Sequence, residues 1–170
     1  VVVMPFLLGN GKHATIELDE TMEDIRDHSQ GLELHLAEGF GPDPTLAGLV
    51  AQRVNEVKGP HCRSPYGVLL LKEGTKSEYD VCVWVEELGA LVEGQLGPEY
   101  AIAVAQSHYG NPTMDDAAVK LVETRRVSTI VCVPYLFFPG LILHRNVLGG
   151  LDTIQQRYPN VSIAVTAPLG

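Results

Sequence analysis

Two titratable side chains four positions apart, His13 and Glu17, have the residue types and the spacing needed for chemistry at a metal ion. A neutral imidazole binds divalent first-row metals and also accepts a proton near pH 7. If a helix begins near residue 14, the Glu17 carboxylate lies on the same side and can accept a proton or orient the imidazole. His13 is therefore a candidate metal ligand and catalytic base, with Glu17 as its candidate catalytic partner.

Simpler interpretations compete with these roles. His13 could be a solvated loop residue, and Glu17 could merely favour the N-terminus of its helix. We predict His144 as a second metal ligand, although it also fits the first turn of a helix. The remaining histidines have structural interpretations. We expect His28 at a helix end, His35 in a strand, His61 in a linker and His108 in a turn.

Composition limits the range of functions. The chain has 170 residues, enough for one well-buried core or two small fused ones. Its formal net charge of -9 argues against nucleic acid as a partner, because such binding needs basic surface. No apolar run approaches the roughly 18 residues that span a bilayer, so we expect no membrane association. Three scattered cysteines fit neither a disulfide framework nor a four-thiolate metal site, and a reducing cytoplasm is the simplest location.

Apolar runs rich in Val, Ile and Leu alternate with stretches of helical period, which is typical of a parallel sheet with helices on both faces. We predict strands at residues 1–8, 32–38, 66–72, 100–106, 128–136 and 161–167. We predict helices at residues 14–28, 44–57, 77–93, 114–125 and 145–158. The predicted fold class is α/β, a three-layer αβα arrangement with mainly parallel sheets. Ligands of such sheets bind beyond the carboxyl ends of the strands, where His13, His108 and His144 fall.

The chain contains an internal repeat. VVVMPFLLGNG at residues 1–11 aligns without a gap with IVCVPYLFFPG at residues 130–140, and Gly41 matches Gly170 at the same offset of 129 residues. We interpret this as a duplicated α/β unit. The predicted division is a remainder of the first unit at 1–57, a linker at 58–65 and a second unit at 66–170. Only the second copy has a strand-helix-strand-helix segment before the repeated strand, so we expect a truncated chain.

Four segments carry a family resemblance. The sequence resembles the class II chelatases of cobalamin and siroheme synthesis, in the two-unit form of sirohydrochlorin cobaltochelatase or ferrochelatase, at VVVMPFLLGNGKH, VCVPYLFFPGLIL, YPNVSIAVTAPLG and AEGFGPDPTLAGLV. The resemblance implies a chelatase-like fold that inserts Co²⁺ or Fe²⁺ into a tetrapyrrole in a cleft between two α/β lobes. It implies metal binding by a histidine in a Gly-x-His loop, which His13 in GNGKH matches. The family's Gly-His-Gly loop has no counterpart in this sequence.

The resemblance also implies a substrate and its contacts. The metal ion is a substrate, no organic cofactor is expected, and the tetrapyrrole carries acetate and propionate carboxylates. An acidic protein needs a local cationic edge to hold such a ligand, and the expected residues are Lys12, Lys72 and Arg145, with Gly11 allowing close approach. Solvated loop charge is the alternative for these cations. We expect either a homo-oligomer or pairing with a missing lobe, since unpaired sheet edges favour association.

Two other functions stay open from the sequence. The first is a non-catalytic module that holds the metal or the tetrapyrrole without turnover. The second is a generic doubly wound domain that binds a nucleotide or sugar at the same edge, but the sequence has neither a Walker loop nor a G-x-G-x-x-G loop. Metal insertion is therefore the leading hypothesis.

Overall fold

Eleven helices and strands alternate along the chain in the computed structural model, which describes residues 1–9, 14, 16–29, 31–58, 65–74 and 83–170. The strands are β1 (Val2–Val3), β2 (His35–Leu36), β3 (Tyr66–Lys72), β4 (Tyr100–Gln106), β5 (Thr129–Pro134) and β6 (Ser162–Val165). The helices are α1 (Ile16–His28), α2 (Pro44–Val57), α3 (Val83–Leu96), α4 (Met114–Val119) and α5 (Leu148–Arg157). Two π-helical segments adjoin them: Lys120–Thr124 continues α4, and Ile142–Val147 leads into α5.

The strands form two parallel sheets. β1 and β2 pair with each other, and the other four strands follow the order β4-β3-β5-β6. On one face of the larger sheet, the alanines of β4 and the side chains of α4 and α5 form a buried cluster. On the other face, α2 and α3 cover a second cluster with Val68 and Leu70 of β3. The predicted three-layer α/β fold is confirmed.

Local sequence explains why these elements form. β3 lies between two neighbours and is covered on both faces, which suits the apolar run YGVLLLK. Asp43 caps α2 by accepting a hydrogen bond from Thr45 N at 2.7 Å, and Pro44 occupies the first turn, where its missing N–H is not needed. Thr113 and Asp116 form a reciprocal capping box at the start of α4.

The internal repeat is visible in the register of the strands. In the small sheet Val2 pairs with His35 and Val3 with Leu36. In the large sheet Val131 pairs with Ala164 and Cys132 with Val165, which are the same positions displaced by 129 residues. The amide of Ala37 donates to Val3 O, and the amide of Thr166 donates to Cys132 O in the same frame. The predicted duplication is confirmed at the level of individual hydrogen bonds.

Several elements differ from the sequence predictions; β2, for example, covers His35–Leu36 rather than residues 32–38. The first strand ends at Val3 rather than at residue 8, because Pro5 has no N–H to donate to a neighbouring strand. The helix predicted at 77–93 runs over Val83–Leu96 within the described residues, and positions 77–82 lie outside them. The domain division at residues 58–65 stays a prediction. In space, α2 packs on α3 and on β5, so the last helix of the first segment covers the sheet of the second.

Candidate functional site

Three phenylalanine rings mark the place where the carboxyl ends of both sheets meet. Phe6 follows β1, Phe40 follows β2, and Phe137 follows β5. The Phe6 and Phe137 rings stack with centroids 4.4 Å apart, and Phe40 packs edge-on against Phe6 at 5.5 Å. Phe6 is still 60% exposed, and the neighbouring Phe138 is 69% exposed. The two repeats therefore share one apolar surface at the edge where ligands of parallel sheets bind.

A cleft opens beside this surface. Its volume is about 670 Å³, and it is lined by Pro5, Ala14, Asp43 and the backbone that follows β2. That volume lies within the range of small-molecule sites. The Thr45 hydrogen bonds hold the pKa of the Asp43 carboxyl below its usual value, so a negative charge stands at the wall of the cleft at neutral pH.

The leading candidates from the sequence, His13, Lys12 and Gly11, lie outside the described residues. The residues that flank them are described. Gly9 lies against the indole of Trp84, close enough that an added Cβ would overlap the ring, and Ala14 lines the cleft. Gly9 and Ala14, on either side of this segment in the sequence, therefore lie at Trp84 and at the cleft wall. The roles of His13, Lys12 and Gly11 stay predictions.

Glu17 lies in the first turn of α1 and is half-buried. Its main-chain carbonyl accepts a hydrogen bond from Thr21 Oγ1 at 2.7 Å. A carboxylate in a first helical turn interacts favourably with the helix dipole, so its position suits the structural interpretation as well as the catalytic one. The catalytic role of Glu17 stays a prediction.

His144 and Arg145 are both exposed, in the π-helical segment that precedes α5. The main-chain amide of His144 donates to Gly140 O at 3.2 Å, which fixes the backbone there. Within the residues that the structure describes, no three His, Cys, Asp or Glu side chains are grouped as a metal site requires. A role for His144 in metal binding, or for Arg145 in substrate binding, stays a prediction.

Lys72 lies at the carboxyl end of β3, as the sequence predicts, but it is buried rather than a solvated loop charge. Only 4% of it is exposed. Its ammonium stands 5.7 Å from the centroid of the Trp84 ring, within the range of a cation–π contact. Its main-chain carbonyl accepts the amide of Ser107, which ties β3 to the loop after β4. The predicted role of Lys72 in substrate binding stays a prediction.

Family comparison agrees with the geometry of this edge. A sequence model of the CbiX family matches residues 1–57 and 67–170. The chain belongs to the CbiX family. A curated relative, a sirohydrochlorin ferrochelatase from Priestia megaterium, is 22% identical over 160 residues. That alignment covers 93% of this chain but only 59% of the relative.

Solved structures agree with the CbiX-family fold. SirB from Bacillus subtilis, a structure with Fe³⁺, superposes with a TM-score of 0.79 at 19% identity, covering 99% of this chain and 64% of that one. CbiX, described as the terminal enzyme for biosynthesis of siroheme in denitrifying bacteria, gives 0.61 at 18% identity, with coverages of 99% and 68%. At these identities the likeness shows the fold alone. None of the described helices combines the length and apolar character needed to cross a membrane.

The CbiX-family chain also has polar residues at this edge that sequence reasoning did not single out. Trp84 and Tyr135 lie beside Lys72, with the two ring centroids 5.7 Å apart. Burial, and then the Asp43 charge, raises the pKa of the Tyr135 hydroxyl far above neutrality, so it stays protonated. A signal for these residues was present in the sequence. In β3, β4 and the stretch ending at Tyr135, every second side chain faces α2 and α3, and the last one in each series is polar: Lys72, Gln106 and Tyr135.

Proposed function

We propose that this chain takes part in the insertion of a divalent metal ion, Co²⁺ or Fe²⁺, into sirohydrochlorin or a related tetrapyrrole of siroheme or cobalamin synthesis. Membership of the CbiX family and the likeness to a sirohydrochlorin ferrochelatase support the reaction class. The observation that carries the proposal is the contact between the two repeats at Phe6 and Phe137. Phe6 comes shortly before His13 in the sequence. A planar macrocycle suits an exposed aromatic surface of this kind.

The chemistry assigns a task to each predicted residue. Insertion replaces two pyrrole N–H protons by one metal ion, so the site must deliver the metal and remove two protons. In the proposal His13 binds the metal and accepts a proton, and Glu17 accepts or relays the second. His144 is the candidate for a second ligand from the other repeat. Lys12, Lys72 and Arg145 hold the acetate and propionate carboxylates, and Gly11 leaves room for the macrocycle edge.

Substitution of His13 tests the proposal. The visible spectrum of sirohydrochlorin changes when the metal enters, so the reaction can be followed in the presence of Co²⁺ or, without oxygen, Fe²⁺. We expect His13→Ala to slow insertion by at least about a hundredfold, the usual contribution of a general base. His28→Ala is the matched control, because His28 is exposed on α1 and pairs with Asp24 at 3.3 Å. Equal rates for His13→Ala and the parent chain would refute the role of His13.

A non-catalytic module that binds the metal or the tetrapyrrole is the second candidate. It is favoured by the fact that the chain spans 59% of its curated relative, so the whole protein's activity cannot be carried over directly. This alternative predicts that the parent chain binds sirohydrochlorin and Co²⁺ at equilibrium but does not convert them. Insertion above the spontaneous rate would exclude it. Comparing Co²⁺ with Fe²⁺ in the same assay decides between the two metals, which histidine and carboxylate ligands both accept.

A further inference from the structure

Three neighbouring strands place polar side chains side by side at the carboxyl edge of the large sheet. Lys72 at the end of β3 pairs with Gln106 at the end of β4. On the other side of β3, the amide of Tyr135 donates to Leu71 O at 2.7 Å, which sets Tyr135 next to Lys72. Because side chains alternate along a strand, all three lie on the face that α2 and α3 cover. We call Gln106, Lys72 and Tyr135 the polar row.

Trp84 at the start of α3 covers the polar row. Its ring is 5.7 Å from the Lys72 ammonium, and the same distance separates its centroid from that of Tyr135. Gly9 of the first repeat also lies against the indole. The polar row and Trp84 therefore stand immediately beside the segment in which His13 is predicted to act, although every residue of the row belongs to the second repeat.

Several polar atoms of this group lack an acceptor or a donor. Within the described part of the chain, Trp84 Nε1, Tyr135 Oη, Ser107 Oγ and Gln106 Oε1 are buried without a hydrogen-bond partner. Tyr135 and Gln106 are each 3% exposed, so bulk water cannot supply the missing hydrogen bonds. Unpaired buried polar atoms are rare because each forfeits its hydrogen bonds to water, and a cluster of them calls for an explanation.

The chemistry of the group is that of an anion site. The indole N–H can only donate, and the Tyr135 hydroxyl donates because it stays protonated. Lys72 adds a positive charge beside them. Two donors beside one ammonium suit the lone pairs of a carboxylate, whereas Gln106 Oε1 can only accept and takes no part. Asp43 is a negative charge whose field reaches Tyr135, and its carboxylate accepts hydrogen bonds from Thr45.

We propose that Trp84, Tyr135 and Lys72 form a carboxylate-binding subsite that anchors one acidic arm of the tetrapyrrole from the second repeat. This inference rests on the proposed function and deepens it, because it names residues that orient the macrocycle relative to His13. It explains why Trp84 Nε1 and Tyr135 Oη are buried without an acceptor among the described residues: the arm supplies it. The subsite holds the substrate in both the free and the metal-loaded form, so it acts on binding rather than on the metal transfer itself.

The chain carries its own reporter for this test. Trp84 is the single tryptophan, so its fluorescence reports on the subsite alone. Metal-free sirohydrochlorin is titrated into the full chain, and the dissociation constant is taken from the quenching of Trp84. Tyr135→Phe removes one donor and keeps the ring. Tyr158→Phe is the matched control, since Tyr158 ends α5 at the opposite edge of the sheet and donates to Glu123 there.

We expect Tyr135→Phe to weaken sirohydrochlorin binding about five- to thirtyfold and to raise KM by a similar factor, with kcat within about twofold of the parent value. Tyr158→Phe should bind as the parent does. Because the Tyr135 hydroxyl has no partner in the described structure, Tyr135→Phe should unfold at an equal or higher denaturant concentration than the parent. That combination of weaker binding and undiminished stability is not expected of a structural hydroxyl.

Three outcomes would overturn the subsite. The first is an unchanged dissociation constant in Tyr135→Phe together with lower stability, which would mean that the hydroxyl only binds an internal water. The second is equally tight binding of succinate alone, which would assign the site to a free carboxylate. The third is a parent chain that does not bind sirohydrochlorin, which would overturn the proposed function as well. His13→Ala separates the two proposals: we expect it to lose insertion but to keep the Trp84 quenching of the parent.

Discussion

At the scale of single residues, Gly9 is a position where the first repeat lies tightly against Trp84 of the second. An alanine Cβ there would overlap the Trp84 indole, a rigid group with little room to move. We expect Gly9→Ala to lower the free energy of unfolding by about 1–3 kcal/mol, as overpacking usually does. The emission maximum of Trp84 should shift in the same variant. Gly140→Ala is the control, because nothing lies within 4 Å of a Cβ at that glycine. Equal stability of both variants would contradict the contact.

The sequence identified part of the candidate site residue by residue. It located Lys72 correctly at a strand end, because a lysine that closes an apolar run marks the carboxyl edge. It weighed solvated charge and substrate binding equally for Lys72, since burial under Trp84 depends on how the next helix packs on the sheet. Tyr135 was missed for a related reason. Its neighbours Lys72 and Trp84 come from other elements, and no local pattern reports such contacts.

At the scale of elements, boundaries were predicted best where burial and capping agree. The bounds of β3, β4 and α2 match the predictions to the residue, because apolar runs or a capped proline delimit them. The π-helical turns after α4 and before α5 were not predicted. A shift in hydrogen-bond spacing within a continuous helix leaves the period of apolar residues almost unchanged.

The capping box of α4 gives a prediction about pH. Hydrogen bonds from the Thr113 hydroxyl and amide lower the pKa of Asp116 in the folded state. A lowered folded pKa adds stability above the unfolded pKa, and that stability is lost as pH falls through the folded pKa. We expect Thr113→Ala to be about 1 kcal/mol less stable at pH 7, as for a lost N-cap, and to lose less on acidification. Denaturation at pH 7 and below pH 4 measures both.

Thr153→Ala is the control for that experiment. The Thr153 hydroxyl donates to Gly149 O within α5, so its loss removes no cap. Its stability should change little at either pH, because alanine is the better helix former in a helix interior. If Thr113→Ala lost as much stability on acidification as the parent, the capping box would not account for the lowered pKa of Asp116.

At the scale of the whole molecule, the two repeats are interlocked rather than placed side by side. The repeated strands can be aligned by sequence, but sequence alone assigns α2 to the first repeat, whereas α2 covers the sheet of the second. Arg53 of α2 reinforces this arrangement, because its Nε donates to Pro168 O at 3.2 Å. Residues 44–57 therefore contribute directly to the buried core of the large sheet.

This dependence predicts uneven local stability. β1 and β2 have two residues each, and Met22 is the buried residue of α1, whereas β3 to β5 are enclosed between two buried clusters. Hydrogen exchange should show that β1 and α1 open locally, and that β3 exchanges only by global unfolding. Phe137→Ala removes the stack on Phe6 and should accelerate exchange in β1 and α1 further, while exchange in β3 changes only as far as the global free energy of unfolding does. Phe138→Ala, at a ring 69% exposed, is the control. Uniform protection across β1, α1 and β3 would contradict the interlocked arrangement.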